Sequence, residues 1–172
     1  MNVWLTADHH FFHEGMLQHR PQFGTMEEMT DAYVAQWNEV VSRSDCVYHL
    51  GDFAITYVSS DATKVDSILR RLHGTKLLIR GNHDRKHTYK SKYWAWQGDI
   101  KKIKVGDAKY ILSHRPLRTW EGMMHGMIHA CGHSHGNLNK HPESGICGDV
   151  GVDVWGGYPV NLEEFRMAVE HE

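Results

Sequence analysis

The stretch VWLTADHH, residues 3–10, is a β-branched and aromatic run that ends in three polar side chains. Such a run predicts a strand that stops where the polar residues begin. The arrangement returns in CVYHLGD at 46–52 and in KLLIRGNHD at 76–84. In open α/β sheets, ligands bind outside the carboxyl ends of the strands. The three stretches therefore predict a sheet whose carboxyl edge collects carboxylates and imidazoles.

Two amphipathic helices are predicted between these strands. Thr25 and Glu28 have the spacing of a capping box, and apolar residues then recur at helical spacing through 29–41. A second apolar stripe runs through 65–72, and Gly74 stands where a left-handed helix cap is expected. The first half of the chain is thus predicted to be β-α-β-α-β.

The second half of the chain is richer in predicted strands. Residues 101–105 and 108–113 flank a Gly-Asp turn and predict a hairpin. Residues 127–131 and 150–155 are two further predicted strands, and residues 161–164 are expected to cap a short C-terminal helix. The predicted class is α/β, with mixed strand directions in this later part.

Composition limits the functional classes. The chain has 172 residues, 41% of them hydrophobic and 23% charged, which predicts one globular domain spanning 1–172. Its longest apolar runs are too short for a membrane span, and its start does not resemble a signal peptide. Three cysteines without CxxC spacing argue against a disulfide framework and favour a cytoplasmic protein. We expect a monomer or a homodimer without a membrane partner.

Five polar motifs follow predicted strands, and the chain contains 15 histidines. Each motif alone is explained as turn chemistry, but five at strand ends are hard to explain that way. Carboxylates, imidazoles and an amide without thiolates suit Mn, Fe, Ni, Co or Zn. Seven ligands are enough for two ions bridged by one carboxylate, an arrangement that serves phosphoryl transfer. The candidate ligands are Asp8, His10, Asp52, Asn82, His114, His133 and His135.

The order of these motifs resembles that of the calcineurin-like metallophosphoesterases. That family's blocks are DxH, GD, GNH(D/E), a lone His and GHxH, which correspond here to 8–10, 51–52, 81–84, His114 and 132–135. The resemblance covers most of the chain. It implies a metallophosphoesterase-type β-sandwich flanked by helices (αββα) and a phosphoric ester hydrolase with two divalent metal ions, of which manganese is the leading candidate.

The resemblance also implies a role for each motif residue. His83 would contact the substrate phosphate or protonate the leaving oxygen, Asp84 would orient the His83 ring, and a metal-bridging hydroxide would attack phosphorus in line. The implied ligands are Asp8, His10 and His135 for the first ion, Asn82, His114 and His133 for the second, and Asp52 as the bridge.

The chain further resembles a compact bacterial and phage branch of the family, through residues 6–13, 113–117 and 151–155. Where that branch often has Phe-Gly-His, this chain has Phe-Phe-His at 11–13. His9 and His49 stand beside candidate ligands, and we interpret both as supporting or packing residues, because ligands need oriented partners.

The segment 85–109 suggests a substrate class. It contains eight Lys or Arg residues against Asp99 and Asp107, with four aromatic residues between them. Basic and aromatic groups together favour a nucleotide or single-stranded nucleic acid, whereas a solvated hairpin with its aromatics in the core is the alternative. Arg115 is a candidate substrate contact, because a guanidinium can bind two phosphate oxygens. The small chain leaves little room for a cap domain, so an open site that favours phosphodiesters is expected.

Three alternatives stay open at this point. The same site could serve a phosphomonoesterase. The fold could serve as a non-catalytic, metal-binding interaction module, although such modules usually lose ligands. In a third hypothesis, the basic segment binds nucleic acid and the metals are structural.

Overall fold

The protein is described here from a computed structural model that covers residues 1–58, 61–139 and 145–171. Its strands form two sheets, and helices pack against them. The strands are β1 (Val3–Thr6), β2 (Cys46–His49), β3 (Thr75–Ile79), β4 (Trp96–Gly98), β5 (Ile100–Val105), β6 (Ala108–Ser113), β7 (Ile128–Cys131), β8 (Cys147–Asp149) and β9 (Val160–Asn161). The α-helices are α1 (Met26–Val40), α2 (Asp61–Arg71), α3 (Lys86–Tyr89) and α4 (Leu162–Glu170).

The first sheet has the strand order β4-β3-β2-β1-β9. Its four strands from β4 to β1 are parallel, whereas β9 pairs with β1 in the antiparallel direction. The register places Thr6 beside His49 and His49 beside Leu78, so β1, β2 and β3 end level with one another. The polar motifs that follow these three strands therefore begin at one edge, as the sequence predicted.

The second sheet has the order β5-β6-β7-β8. Strands β5 and β6 form the predicted antiparallel hairpin, and β6, β7 and β8 then run parallel. A single parallel bridge between Ala7 and Gly151 connects the end of β1 to the segment after β8. The α/β class with two mixed sheets flanked by helices is confirmed.

Two large apolar clusters hold these layers together. Between the sheets, Leu5, Leu50, Tyr110 and Leu112 are almost completely buried, and Phe165 of α4 joins the same cluster. The second cluster fills the space between α1, α2 and the first sheet, and it contains Met29, Trp37, Val47, Phe53, Leu69 and Leu78. Burying each such side chain contributes about 1.5–3 kcal/mol to folding, which keeps the sheet edge in a fixed position.

The helix signals in the sequence were accurate. Thr25 Oγ1 accepts a hydrogen bond from the Glu28 backbone N–H at 3.1 Å and begins α1. Gly74 follows α2 with φ of 81°, a left-handed conformation that favours glycine. The Asn161 side chain caps α4 by accepting from Glu163 N–H. In the described ranges, no helix is long and apolar enough to cross a membrane.

One predicted strand is wrong, and two short strands were missed. Gly151 makes only an isolated bridge, residues 152–155 form turns, and the neighbouring strand is Cys147–Asp149 instead. The alternation of valines with polar residues imitates a strand, but backbone N–H groups of Val154 and Trp155 return to the Gly151 carbonyl and close a turn. Strands β4 and β9 have three and two residues, which is too short for a period-two pattern to be visible.

Candidate metal centre

The loops after the strands have an unusual backbone conformation. Six non-glycine residues of the described chain have positive φ, between 48° and 70°. Five of them are candidate ligands: Asp8, His10, Asp52, His133 and His135. The sixth is Phe12, which has φ of 67°. Left-handed backbone is unfavourable for these residue types, and such strain concentrates at functional sites.

One group of ligand atoms lies deep in the fold. Asp8, His10 and His135 each offer one atom, and these atoms lie within 4.8 Å of one another. Asp8 and His10 are almost fully buried, whereas His135 is partly exposed. His135 Nδ1 lies 2.7 Å from Asp153 Oδ2, which leaves its Nε2 for the cluster. We call these three ligands the buried half of the centre.

The buried half has the chemistry of a divalent cation site. Asp8 Oδ1 and both ring nitrogens of His10 are buried without a hydrogen-bond partner. Burial lowers the pKa of His10 to about 3, so its ring is neutral at pH 7 and retains a lone pair for a cation. Burial also raises the pKa of the Asp8 carboxyl, although His114 and His135 oppose that shift. Unpartnered buried groups of this kind fit a cation between them.

The second group of ligand atoms comes from Asp52, His114 and His133, again within 4.8 Å of one another. His114 Nδ1 donates to the Leu50 carbonyl at 2.8 Å, so Nε2 is directed at Asp52 Oδ2, 3.3 Å away. Burial raises the pKa of Asp52, but hydrogen bonding and charge from His114 outweigh it and lower the pKa to about 2. The predicted ligand Asn82 belongs here, because its Oδ1 lies 3.1 Å from His114 Nε2.

Asn82 is exposed and His133 is only partly buried, so we call this second group, with Asn82, the open half. The two halves are adjacent. Asp52 Oδ2 lies 3.6 Å from His10 Nε2, and His10, Asp52 and His83 form a third close group of ligand atoms. Asp52 therefore lies between the halves, the position that the resemblance implies for a bridging carboxylate. All seven predicted ligands are brought together at one edge of the sheets.

The glycines of the motifs permit this close approach. A Cβ added at Gly81 would lie 2.2 Å from Asp52 Oδ1, and one at Gly132 would lie 2.7 Å from Asp8 Oδ2. Gly51 has φ of 94°, and its Cβ would lie 2.5 Å from His114 Nδ1. The glycines in the GD, GNH and GH blocks thus leave room for the ligands behind them.

The fold and the sequence were compared with known proteins. No protein-family model matches the chain. It is 33% identical to the uncharacterized protein MJ1445 of Methanocaldococcus jannaschii, over 98% of this chain and 91% of that protein. The protein of unknown function AQ665 from Aquifex aeolicus has a similar structure, with a TM-score of 0.74, 20% identity, and coverage of 98% of this chain and 99% of that one. Nuclease MPE of Pseudomonas putida has a TM-score of 0.50 and 22% identity, over 77% of this chain and 61% of that one.

The shared fold agrees with the resemblance that the ordered motif blocks carry. The chain has the metallophosphoesterase fold. Its histidine and aspartate groups offer closely spaced atoms that fit divalent cations.

His83 and Asp84 lie beside the predicted ligands. The His83 ring is half-buried, with its centroid 5.1 Å from that of His10, and its backbone N–H donates to Asp52 Oδ1 at 2.8 Å. The expected bond from Asp84 to the His83 ring is replaced by bonds to the backbone. The Asp84 carboxylate accepts from N–H groups of Asp52, Phe53 and Gly81 at 2.8–2.9 Å. Asp84 thus holds together the backbones of the two loops that carry Asp52 and His83. This contact replaces the expected one with the His83 ring.

Arg115 borders the open half of the centre. Its Nη1 lies 3.0 Å from His133 Nε2, and its Nη2 donates to Asn82 Oδ1 at 3.1 Å. A cavity of about 430 Å³ continues from this point. Its wall includes Arg80, Tyr89, Ile100, Arg115 and Leu117, next to Asn82 and His114.

The basic segment 85–109 is divided between the core and the surface. Trp94 is buried in the core and donates from Nε1 to the Thr88 carbonyl. Lys101 lies over the Trp96 ring at 3.9 Å, and Lys102 pairs with Glu121. Of the aromatic residues in this segment, Tyr89 lines the cavity.

His9 and His49 are fully buried behind the predicted ligands. Their Nδ1 and Nε2 atoms lie 2.9 Å apart, and the Gly51 backbone N–H donates to His49 Nδ1. This geometry agrees with a supporting role. The sequence did not indicate Arg20, which hydrogen-bonds to Asp153. One feature of the sequence could have drawn attention to Asp153, because it is an acidic residue between two valines.

Proposed function

We propose that this protein is a dinuclear, metal-dependent phosphoesterase that hydrolyses phosphodiester bonds of nucleotides or single-stranded nucleic acid. The observation that carries the proposal is the set of three overlapping His/Asp groups that share His10 and Asp52. Overlap of this kind suits two cations side by side better than one. Manganese is the proposed ion, because the ligands are oxygen and imidazole donors without a thiolate.

Each residue of the centre has a proposed task. Bound cations would supply Lewis-acid activation of water and neutralise charge on the phosphate oxygens. His83, half-buried at the edge of the cluster, gives a proton to the leaving oxygen. Arg115 binds a phosphate oxygen through its fork of N–H donors. The proposed ligands are Asp8, His10 and His135 on one side, Asn82, His114 and His133 on the other, and Asp52 between them.

The cavity beside the open half supports a diester rather than a monoester. A phosphodiester carries a second organic group. The cavity begins at Asn82 and His114, so it would accept that group when the phosphate lies against these two residues. Its apolar side chains suit an organic group, and its aromatic ring at Tyr89 suits a base that stacks. The structure with the similar fold is that of a nuclease, and nucleases cleave phosphodiester bonds, which agrees with this choice.

The proposal is tested by hydrolysis of bis-p-nitrophenyl phosphate and p-nitrophenyl phosphate on metal-stripped protein, with and without Mn²⁺. Faster, Mn²⁺-dependent turnover of the diester is expected. Preference for the monoester would instead identify a phosphatase with the same ligands. Binding of Mn²⁺ without turnover of either ester would favour the non-catalytic interaction module.

The substrate class is tested with thymidine 5′-p-nitrophenyl phosphate. We expect a lower KM for this ester than for bis-p-nitrophenyl phosphate. Tyr89→Ala should raise the KM for the nucleoside ester and leave that for bis-p-nitrophenyl phosphate within about twofold, because stacking contributes about 1–3 kcal/mol per base. Equal effects on both esters would argue against a base site at Tyr89.

A further inference from the structure

Arg20 is a buried cation far in sequence from every metal motif. Its side chain is only 1% exposed, among the largest fully buried side chains of the described protein. Its Nε and Nη2 donate to the two carboxylate oxygens of Asp153, both at 2.8 Å. A buried guanidinium is costly unless its donors are used, so a two-bond pair with a carboxylate is the arrangement that stabilises it.

The same guanidinium also binds the backbone of the first metal motif. Nη2 donates to the Asp8 carbonyl at 2.6 Å, and Nη1 donates to the His9 carbonyl at 3.0 Å. Asp8 and His10 have φ of 63° and 52°, conformations that their residue types rarely adopt. The hydrogen bonds from Arg20 to the carbonyls of Asp8 and His9 stabilise this strained backbone conformation.

Asp153 connects Arg20 to the third ligand of the buried half. Its Oδ2 lies 2.7 Å from His135 Nδ1, so a single carboxylate accepts from Arg20 and from His135. A partner on one ring nitrogen of a metal-binding histidine fixes the direction of the other nitrogen. Arg20 is thereby connected to all three ligands of the buried half. It binds the carbonyl of Asp8 itself, the carbonyl of His9, which precedes His10, and the carboxylate of Asp153, which contacts His135.

We propose that Arg20 is a positioning residue for one cation of the pair and that it acts with Asp153 on the buried half alone. This inference rests on the proposed function, since it requires that the cluster binds cations. In the described part of the chain, the side-chain hydrogen bonds of Arg20 and Asp153 reach, besides each other, Asp8, His9, His135 and Met29, and none reaches the open half. Removal of Arg20 should therefore weaken one cation site and leave the other intact.

The test is a titration of metal-stripped protein with Mn²⁺, with free Mn²⁺ followed by electron paramagnetic resonance. Wild-type protein should bind two equivalents. Arg20→Met keeps the length of the side chain and should weaken one equivalent by about 10- to 100-fold, the range found for residues that orient metal ligands. Arg20→Lys keeps the charge and should fall between the two. Arg71→Met, which removes the exposed pair with Asp31, is the control and should bind as the wild type does.

The site specificity is tested in a His135→Ala background, in which the equivalent at the buried half is already weakened. There, Arg20→Met should cause no further loss of Mn²⁺. A general structural role for Arg20 would weaken the remaining equivalent too, and that result would overturn the inference. Unchanged binding of both equivalents in Arg20→Met would also overturn it.

If Arg20→Met does not fold, Asp153→Asn decides the question. Asparagine keeps the size of the side chain and removes the charge that Arg20 and His135 share, so one equivalent should weaken by about 10-fold. Wild-type binding of both equivalents in Asp153→Asn would contradict the inference. Failure of the wild-type protein to bind Mn²⁺ would be a different result, since it would contradict the proposed function itself.

Discussion

The buried half and the open half of the centre hold their histidines by different means. In the buried half, His135 is oriented by the charged side chain of Asp153, which a buried Arg20 fixes in turn. In the open half, His114 is oriented by a neutral backbone carbonyl, that of Leu50. The contacts of Asp153 connect three segments of the chain, those of Arg20, His135 and Asp153. The contact of His114 depends only on a backbone carbonyl that follows strand β2. We therefore expect the buried half to hold its cation more firmly and the open half to admit the substrate of the proposed function.

The largest effect is expected at Asp52, which lies between the halves. Asp52→Asn removes the charge that both groups share, so both Mn²⁺ equivalents should weaken. The kcat for the diester should fall by more than about 100-fold, since residues that only orient ligands already contribute about 10- to 100-fold. Metal titration and steady-state kinetics check this expectation. Asp31→Asn, at an exposed ion pair, is the control, and loss of only one equivalent in Asp52→Asn would show that Asp52 belongs to one half.

His83 lies beside both halves, and its removal separates proton transfer from cation binding. His83→Ala should lower kcat by about 10²- to 10⁴-fold, the usual contribution of a positioned acid or base, and retain both equivalents of Mn²⁺. The measurement is kcat together with the Mn²⁺ stoichiometry, and His125→Ala at an exposed position is the control. Loss of Mn²⁺ in His83→Ala would instead identify His83 as a metal ligand, which would agree with its place in the close group with His10 and Asp52.

Arg115 sharpens the contrast with Arg20. Arg115→Met should raise KM for the diester by about 10-fold or more, because a hydrogen bond to a charged group contributes about 1.5–3 kcal/mol. Both cation equivalents should be retained, unlike in Arg20→Met. Arg118→Met, three residues away and exposed, serves as the control. An unchanged KM with weakened Mn²⁺ binding would place Arg115 among the residues that support the ligands.

The last effect concerns stability and leaves the chemistry of the centre aside. Behind the open half, His129 Nε2 lies 2.8 Å from the hydroxyl of Ser113, next to His114. Burial lowers the pKa of His129 to about 4, whereas a histidine of the unfolded chain has its ordinary pKa of 6.5. Between pH 6.5 and 4, the unfolded state therefore binds the additional proton. The stability associated with neutral His129 is complete above pH 6.5 and decreases as the pH falls towards 4, by up to about 3 kcal/mol.

His129→Gln should therefore have a shallower loss of stability between pH 6.5 and 4 than the wild type. Urea unfolding at a series of pH values measures this difference, with His125→Gln as the exposed control. Parallel pH profiles for His129→Gln and wild type would show that His129 is protonated in the folded protein.

The residue order of the motifs predicted the fold class and the group of side chains that the structure brings together. Strands followed by Asp, His and Asn imply a shared sheet edge, because parallel strands end together, and β1, β2 and β3 do so. The sequence could not predict that 152–155 form turns, because the same Val-Gly-Val pattern suits a strand. The role of Asp84 was equally hidden, since its partners are backbone amides, which leave no mark on side-chain patterns.

The amino-acid sequence by itself determined which side chains collect at the sheet edge, because strand ends and glycine positions are local properties of the chain. Only the tertiary structure decided how those side chains are held. Arg20 lies 133 residues from Asp153, and no periodicity or motif spacing connects them. Their contact exists because the loop after β1 and the turn after β8 lie together, joined at Ala7 and Gly151. That juxtaposition is set by the packing of two sheets, and packing depends on contacts between segments that are distant in the sequence.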